Sequence, residues 1–275
     1  MRSLYIFAVS VLLSLPLLSQ EDDLSEITQE ELFEHIQFLA DDALKGREPG
    51  TPGGKVAAEY IRDRIRDLGL ELLGDEGFQY FNVTKGVKAG DNNSFSFGEF
   101  KGELRKDFVP LSFSASKRLI AKAVFAGYGL DVDEIGKKWM DYEGIDVKDK
   151  WAVILLGDPE YKKRKSGFAE YRSQRSKVLK AQDKGAAGVI FVAPESFSSR
   201  DDLIELKLSR VHTIVDIPVI NITRATADKM LSEHSTTIAK LEKDMIEEFN
   251  PKSFPLDLII EASTDVQMLE VRTQN

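Results

Sequence analysis

Two apolar runs decide the fold of this chain: Trp151-Ala-Val-Ile-Leu-Leu156 and Gly188-Val-Ile-Phe-Val-Ala193. Each run is short, continuous and bounded by glycine or proline, a pattern typical of strands that are buried on both faces. Residues 168–184 between them show helical periodicity, and Gly185 is expected to take the left-handed conformation that ends a helix. We therefore predict a right-handed unit of strand, crossover helix and parallel strand.

The predicted helix of this unit has an apolar and a charged side. We expect four residues to face the sheet: Phe168, Tyr171, Val178 and Leu179. We expect four others to face solvent: Glu170, Arg172, Lys177 and Lys180. The unit contains no side chain arranged for catalysis, so it predicts a scaffold.

Length and composition are those of a packed globular protein. The 275 residues are 42% hydrophobic and 30% charged, which suffices for one large domain or two small ones. The net charge of −9 argues against nucleic acid and anionic lipid as partners. Because there is no cysteine, stability is expected to come from the core and not from disulfides.

The first residues have the pattern of a signal peptide, which we assign to residues 1–19. Arg2 precedes an apolar stretch that is too short to span a membrane comfortably, and an acidic segment follows from Glu21. We predict a secreted or periplasmic protein that begins near Gln20 or Glu21 and has no membrane contact after cleavage. An uncleaved N-terminal anchor is the alternative interpretation.

Two amphipathic helices are predicted next. Thr28 and Glu31 form a capping box ahead of the first helix, and Thr51-Pro52 starts a second helix that ends near Leu68. The expected inward residues are Leu32, Ile36 and Leu39 in the first helix and Val56, Ala57, Tyr60, Ile61, Ile65 and Leu68 in the second. This apolar area exceeds what one helix pair would cover, so further packing is predicted.

The segment Leu39-Ala-Asp-Asp-Ala-Leu-Lys-Gly-Arg-Glu-Pro-Gly-Thr-Pro-Gly-Gly54, followed by Ala57-Ala-Glu-Tyr-Ile61, closely resembles the opening of a known family. That family is the secreted zinc aminopeptidases, family twenty-eight of the metallopeptidases. The resemblance implies that residues 20–70 form a helix pair belonging to a peptidase domain.

Later segments resemble the protease-associated (PA) domain that is inserted in many family members. They are Phe125-Ala-Gly-Tyr-Gly129, Asp141-Tyr-Glu-Gly-Ile-Asp-Val-Lys-Asp-Lys150, Gly157-Asp-Pro159 and Lys184-Gly-Ala-Ala-Gly-Val-Ile190. The resemblance implies a PA domain at 71–250 and the first strands of the peptidase domain at 251–275. The predicted fold class is α/β: a mixed sheet with flanking helices, framed by the helix pair and terminal strands of an incomplete peptidase domain.

No catalytic or metal-binding residue is predicted in this sequence. The family's first zinc motif, His-x-Asp, is expected beyond Asn275, so zinc is expected only in a complete family member. His35, His212 and His234 lie in neither His-x-Asp nor His-Glu-x-x-His, and they are interpreted as ordinary histidines.

Three other parts of the sequence have some features of a binding site. Gly50–Lys55 lacks the phosphate-loop spacing, and Pro52 removes a donor N–H, so a tight loop is preferred. Five acidic residues match a calcium loop only in part and are interpreted as a solvated loop: Asp131, Asp133, Glu134, Asp141 and Glu143. Arg47 is a candidate for the rim of a peptidase cleft, or it forms a structural ion pair with Asp41, Asp42 or Glu48.

The predicted function is the lid or substrate-access portion of an exported zinc aminopeptidase. These 275 residues alone are expected to be non-catalytic. The expected partners are a peptide or protein substrate and a catalytic peptidase segment. Two alternatives stay open. One is a free-standing PA module that binds a peptide or protein, and the other is a subunit that completes its sheet with a separate catalytic chain.

Overall fold

The computed structural model describes residues 27–209 and 213–275, so the predicted signal peptide and His212 lie outside the described residues. The chain divides into two compact units. One contains residues up to Phe81 together with Arg272–Asn275, and the other is Asn82–Val271. The domain boundaries given above at 19, 70 and 250 stay predictions. No helix in the described ranges combines the length and apolar character needed to cross a membrane.

The first unit contains α1 (Gln29–Leu39), a 3-10 helix (Asp42–Arg47) and α2 (Pro52–Asp67). The predicted capping box of α1 is present, because Thr28 and Glu31 each bond to the other's backbone N–H. The two α-helices touch through a few aromatic contacts. His35 Nδ1 lies 2.7 Å from Tyr60 Oη, and the rings of Phe38 and Tyr60 are stacked 4.0 Å apart.

The apolar faces predicted to point inward are mostly exposed in this unit. Ala57 is the one residue of α2 that is buried, and α1 buries none. Between 42% and 75% of the surface of several large residues is open to solvent: Leu32 50%, Ile36 63%, Val56 42%, Ile61 48% and Leu68 75%. The inward assignment is confirmed for Ala57, which is buried, whereas Leu39 and Tyr60 are only partly buried. It is wrong for the other six residues, which are exposed. The prediction that the pair needs further packing has a structural basis, because these faces are uncovered.

The remaining elements are twelve strands and three α-helices among the described residues. The strands are β1 (Tyr80–Ala89), β2 (Ser94–Phe97), β3 (Phe100–Lys101), β4 (Phe108–Pro110), β5 (Arg118–Ala126), β6 (Asp131–Glu134), β7 (Lys137–Met140), β8 (Trp151–Leu155), β9 (Gly188–Val192), β10 (Val219–Ile222), β11 (Ser253–Ser263) and β12 (Val266–Gln274). The helices are α3 (Gln174–Asp183), α4 (Arg224–Met230) and α5 (Ile238–Glu248), with short 3-10 helices at Ala169–Tyr171 and Ser232–His234.

Eight of these strands form one mixed sheet, in the order β3-β2-β11-β5-β8-β9-β10-β4. β5, β8, β9 and β10 are parallel, and antiparallel strands complete both ends. The predicted parallel pairing of the central unit is confirmed, because Trp151 to Leu155 pair with Gly188 to Val192 and α3 lies between them in the chain. β1 pairs with β12, and β6 pairs with β7. The predicted α/β class with a mixed sheet and flanking helices is confirmed.

The two faces of the sheet pack against different helices. Along β8, Val153 and Leu155 belong to a core that includes residues of α4 and α5, whereas Ala152 and Ile154 belong to a core that includes Val178 of α3. This alternation follows from the period of two in a strand. Because β8 is covered on both faces, its sequence is continuously apolar, as the prediction assumed.

Candidate functional site

Buried charged residues lie at the carboxyl ends of β8 and β9. Gly157-Asp158 leaves β8, and Pro194-Glu195-Ser196 leaves β9. In open sheets of this kind, ligands bind outside the carboxyl ends of the parallel strands. These two loops therefore define the first place to examine for a binding site.

A buried lysine caps the end of β8. Lys177 of α3 is 1% exposed, and its Nζ donates to the carbonyl oxygens of Leu155 at 2.8 Å and Gly157 at 2.6 Å. The ammonium also lies 5.5 Å from the centre of the Tyr128 ring. The lysine thus supplies hydrogen-bond donors to two buried carbonyl oxygens at the end of the strand, and buried carbonyl groups need such partners.

The two faces predicted for this helix need a correction. Lys177 was predicted to face solvent and Leu179 to face the sheet, but Lys177 is buried and Leu179 is 48% exposed. The helix begins only at Gln174, with Ser173 as its N-cap, and its inward stripe is Lys177, Val178 and Ala181. Positions 177 and 181 lie one turn apart on the same face, so burial of Ala181 brings Lys177 inward as well.

Two buried carboxylates accompany the lysine. Asp141 Oδ2 accepts the Leu130 N–H at 2.9 Å. Asp158 Oδ1 accepts from the Glu160 N–H and the Ser166 hydroxyl, and its Oδ2 lies 3.0 Å from Arg172 Nε. Both aspartates are fully buried. We name Tyr128, Asp141, Asp158, Arg172 and Lys177 the strand-end cluster, in which two carboxylates face two cations.

Burial governs the protonation of this cluster. It raises the pKa of Asp141 to about 7, against the pull of the Leu130 N–H, which favours the charged form. It also lowers the pKa of Lys177 to about 7, while the charges of Asp141 and Asp158 act in the opposite direction. Burial raises the pKa of Tyr128 well above its ordinary value, and the charge of Glu242 raises it further.

The Asp141 carboxyl is expected to make stability fall between about pH 4 and pH 7. The folded state holds this proton up to about pH 7, whereas the unfolded chain releases it near 3.8. The folded state therefore binds more protons in this window, and the free energy of unfolding falls as pH rises, by at most about 1 kcal/mol per pH unit. Asp141→Asn should remove this slope in urea unfolding series, and Asp183→Asn, at an exposed position of α3, serves as control. A wild-type slope in Asp141→Asn would contradict the assignment.

A surface cleft adjoins the loop after β9. It has a volume of about 550 Å³ and is bounded by α5 and two loops. We name it the α5 cleft, and its lining residues are Lys162, Glu195, Ser196, Ala239, Lys240, Glu242, Lys243, Ile246 and Glu247. Glu242 is 5% exposed, and both of its carboxylate oxygens accept the Ser196 N–H, at 3.1 and 3.3 Å.

The five acidic residues that match a calcium loop in part do not lie in one solvated loop, although Asp133, Glu134 and Glu143 are exposed. Asp131–Glu134 is the strand β6, and its carboxylates are engaged by cations. Asp131 pairs with Lys184 at 2.6 Å, and Asp133 pairs with Lys138 at 3.6 Å. Asp141 is buried, as described above. Within residues 27–209 and 213–275, no three His, Asp or Glu side chains are grouped to hold a metal ion.

The described histidines have ordinary surroundings. His35 contacts Tyr60, and His234 Nε2 lies 3.3 Å from the Leu256 carbonyl oxygen with its ring against Phe254. His212 lies outside the described residues. The expectation of zinc in a complete family member stays a prediction.

The glycines in the first turn of α2 allow close packing against the preceding loop. A Cβ on Gly53 would lie 2.0 Å from the Leu44 carbonyl oxygen, and one on Gly54 would lie 2.4 Å from that of Glu48. Only glycine permits this approach of helix and loop. Arg47 lies in the same loop with φ 57° and an exposed side chain. Its role at a cleft rim stays a prediction.

Comparison with known proteins identifies the central part of the chain. Residues 115–230 match the PA domain family. The match contains the parallel strands, α3, α4 and the whole strand-end cluster. The chain therefore contains a PA domain, as the sequence motifs predicted. No curated protein matches the chain in sequence.

Solved structures with a similar backbone include three peptidases. An aminopeptidase from Aneurinibacillus sp. strain AM-1 is 16% identical with a TM-score of 0.43; the match covers 89% of this chain and 46% of that one. BSAP, a zinc aminopeptidase from Bacillus subtilis, is 19% identical with a TM-score of 0.40, and the match covers 89% of this chain and 45% of that one. A peptidase M28 precursor from Shewanella amazonensis SB2B is 17% identical with a TM-score of 0.37, and the match covers 88% of this chain and 51% of that one. The chain thus spans about half the length of these proteins.

Sequence reasoning missed Asp158, Lys177 and Glu242 as notable residues. Asp158 had a usable signal, since a polar residue that directly follows a buried parallel strand lies where ligands bind. Lys177 and Glu242 had none, because a charged residue on a helix normally faces solvent.

Proposed function

We propose that this chain is the substrate-access portion of an exported zinc aminopeptidase, in which the PA domain limits the approach to a catalytic segment. The PA match at 115–230 supports the accessory domain. The Leu39–Gly54 motif supports the peptidase class. The proposed substrate is a peptide or protein, and the proposed zinc belongs to the catalytic segment.

The observation that carries this proposal is the uncovered apolar surface of α1 and α2. Surfaces of contiguous large apolar side chains mark interaction sites in soluble proteins. Leu32, Phe33 and Ile36 on α1, and Ile61 and Ile65 on α2, are all exposed. A peptidase sheet is an occupant that would bury such a helix pair.

The test is reconstitution of activity. The chain is co-expressed with a peptidase segment that contains the His-x-Asp motif, and hydrolysis of aminoacyl-nitroanilides is measured. We expect activity from the pair and none from this chain alone. Ile61→Ser with Ile65→Ser should reduce co-purification, whereas Arg64→Ser, between them on α2, should not. Stoichiometric zinc and turnover in the chain alone would refute the proposal.

A free-standing PA module is the second candidate. It is favoured by the compactness of Asn82–Val271, which forms a unit of its own. This candidate predicts that the isolated chain is monomeric in gel filtration despite its exposed helices. The access role predicts self-association, because the uncovered faces of α1 and α2 would then pair between copies.

Export is part of the proposal. We expect secreted material to begin near Gln20 or Glu21, since Arg2 and the apolar stretch after it have the signal-peptide pattern. N-terminal sequencing that returned Met1 from secreted material would contradict cleavage.

A further inference from the structure

We infer that the α5 cleft binds short peptides with two free ends, holding the α-ammonium at Glu242 and the α-carboxylate at the lysines of the rim. The inference adds a ligand site to the proposed access role, and the choice of peptides as the ligand class rests on that role. The geometry of the cleft stands independently of it.

The floor of the cleft carries a buried charge with few partners. A carboxylate accepts about four hydrogen bonds, but the Glu242 oxygens share one donor, the Ser196 N–H. No ion pair of Glu242 is found within the described part of the chain. Because buried charges are normally paired, a cationic ligand group is the expected partner, and a primary ammonium supplies three donors.

Two hydroxyl groups lie beside this carboxylate. The Tyr128 side chain is fully buried. Its Oη and the Ser196 Oγ are close to each other, but neither makes a well-oriented hydrogen bond to a described residue. Unsatisfied buried hydroxyls are uncommon in folded proteins. Ser196 itself lines the cleft, and Tyr128 lies close enough to Glu242 for that charge to raise the tyrosine pKa. The surroundings of Glu242 are therefore polar.

The rim of the cleft supplies the opposite charge. Lys162 and Lys240 have no ion pair within residues 27–209 and 213–275, whereas Lys243 lies 3.8 Å from Glu247. Three lysines and three glutamates line the cleft in total, so its formal charge is 3 − 3 = 0. A neutral cleft with separated charges suits a zwitterion better than a net anion or a net cation.

The size of the cleft sets the length of the ligand. A volume of about 550 Å³ falls in the range of small-molecule sites and exceeds the needs of one amino acid. Ala239 and Ile246 provide an apolar wall for a side chain. The volume therefore suits a dipeptide or tripeptide.

The test is calorimetric titration of the full chain with the dipeptide Ala-Leu. The same titration is made with N-acetyl-Ala-Leu and with Ala-Leu-amide. We expect a Kd on the order of 0.1–1 mM for the free dipeptide and about tenfold weaker binding when either end is blocked. Glu242→Gln should weaken binding of the free dipeptide about tenfold but not that of the N-acetylated peptide. Glu233→Gln, an exposed matched change, should have no effect.

Lys240→Met provides a second variant that leaves the buried floor intact. It should weaken binding of the free dipeptide and leave the amide unaffected. Absence of binding to wild type at about 10 mM peptide, or equal binding of free and blocked peptides, would overturn the inference. Because the titration needs no catalytic segment, its failure leaves the access role standing. Failure of reconstitution would likewise leave a measured peptide affinity standing.

Discussion

Replacing Lys177 with methionine is expected to lower the free energy of unfolding by about 3–5 kcal/mol, as expected for removal of one partner of a buried charge cluster. The side chain is 1% exposed and donates to the Leu155 and Gly157 carbonyl oxygens. Methionine fills a similar volume but supplies no donor. Both carbonyl groups would stay buried without a partner, and Asp141 and Asp158 would lose a nearby cation.

The matched control for this change is Lys180→Met, which removes the same charge one turn later in α3. Lys180 lies on the same helix and is only partly buried, so we expect a loss within about 0.5 kcal/mol. Urea unfolding followed by Trp fluorescence measures both variants, since Trp139 and Trp151 are buried. Equal stability of the two variants would show that the strand-end cluster does not stabilise the fold.

A double-mutant cycle separates the lost hydrogen bonds from the lost charge pairing. Lys177→Met combined with Asp141→Asn removes both an acid and a base from the interior. If the charges interact, the double variant should be more stable than the sum of the single losses predicts, by about 1 kcal/mol or more. Strict additivity would show that Asp141 does not interact with Lys177, and it would leave the effect to the two carbonyl groups and Asp158.

The central unit of the fold could be predicted because its signals are local. Residues 151–156 and 188–193 are apolar, short and closed by glycine or proline, and they form β8 and β9 in parallel. Gly185 has φ 90°, the left-handed value predicted from its position after the helix. Thr223 caps α4 for the same local reason, since its hydroxyl accepts the Thr226 N–H.

The strand-end cluster and the α5 cleft could not be predicted, because their members meet only in the folded chain. Lys177 lies 36 positions after Asp141, and Glu242 lies 46 positions after its partner Ser196. Periodicity assigns charged residues to the solvent side of a helix, as it did for Lys177. Whether such a residue is buried depends on acceptors that other segments bring to it.

The helix pair shows a different limit. Helical periodicity correctly located α1 and α2 and their apolar stripes, but periodicity does not tell what covers a stripe. Ile61 and Ile65 are exposed among the described residues, although the pattern alone assigns them inward. The stripe is thus a prediction of an interface and not of a core.

Replacing Val153 with aspartate should be the most destabilising single change argued for this chain, with a loss of more than about 4 kcal/mol. Val153 is 1% exposed in the middle of β8, where it pairs with Phe125 of β5 and Ile190 of β9. Its side chain lies in the core on the α4 and α5 side. A carboxylate there has no cation and no solvent, so it must either ionise unpaired or take up a proton at a cost in free energy.

Two companion variants decide whether charge or volume causes this loss. Val153→Ala removes two methyl groups and should cost about 1–3 kcal/mol through the cavity alone. Leu179→Asp places the same charge at a position that is 48% exposed on α3, where we expect a change of less than about 1 kcal/mol. Since helical periodicity assigned Leu179 to the sheet side, this variant also tests the corrected orientation of α3. Urea unfolding midpoints rank the three variants, and a Val153→Asp protein as stable as Leu179→Asp would mean that β8 is not a central strand.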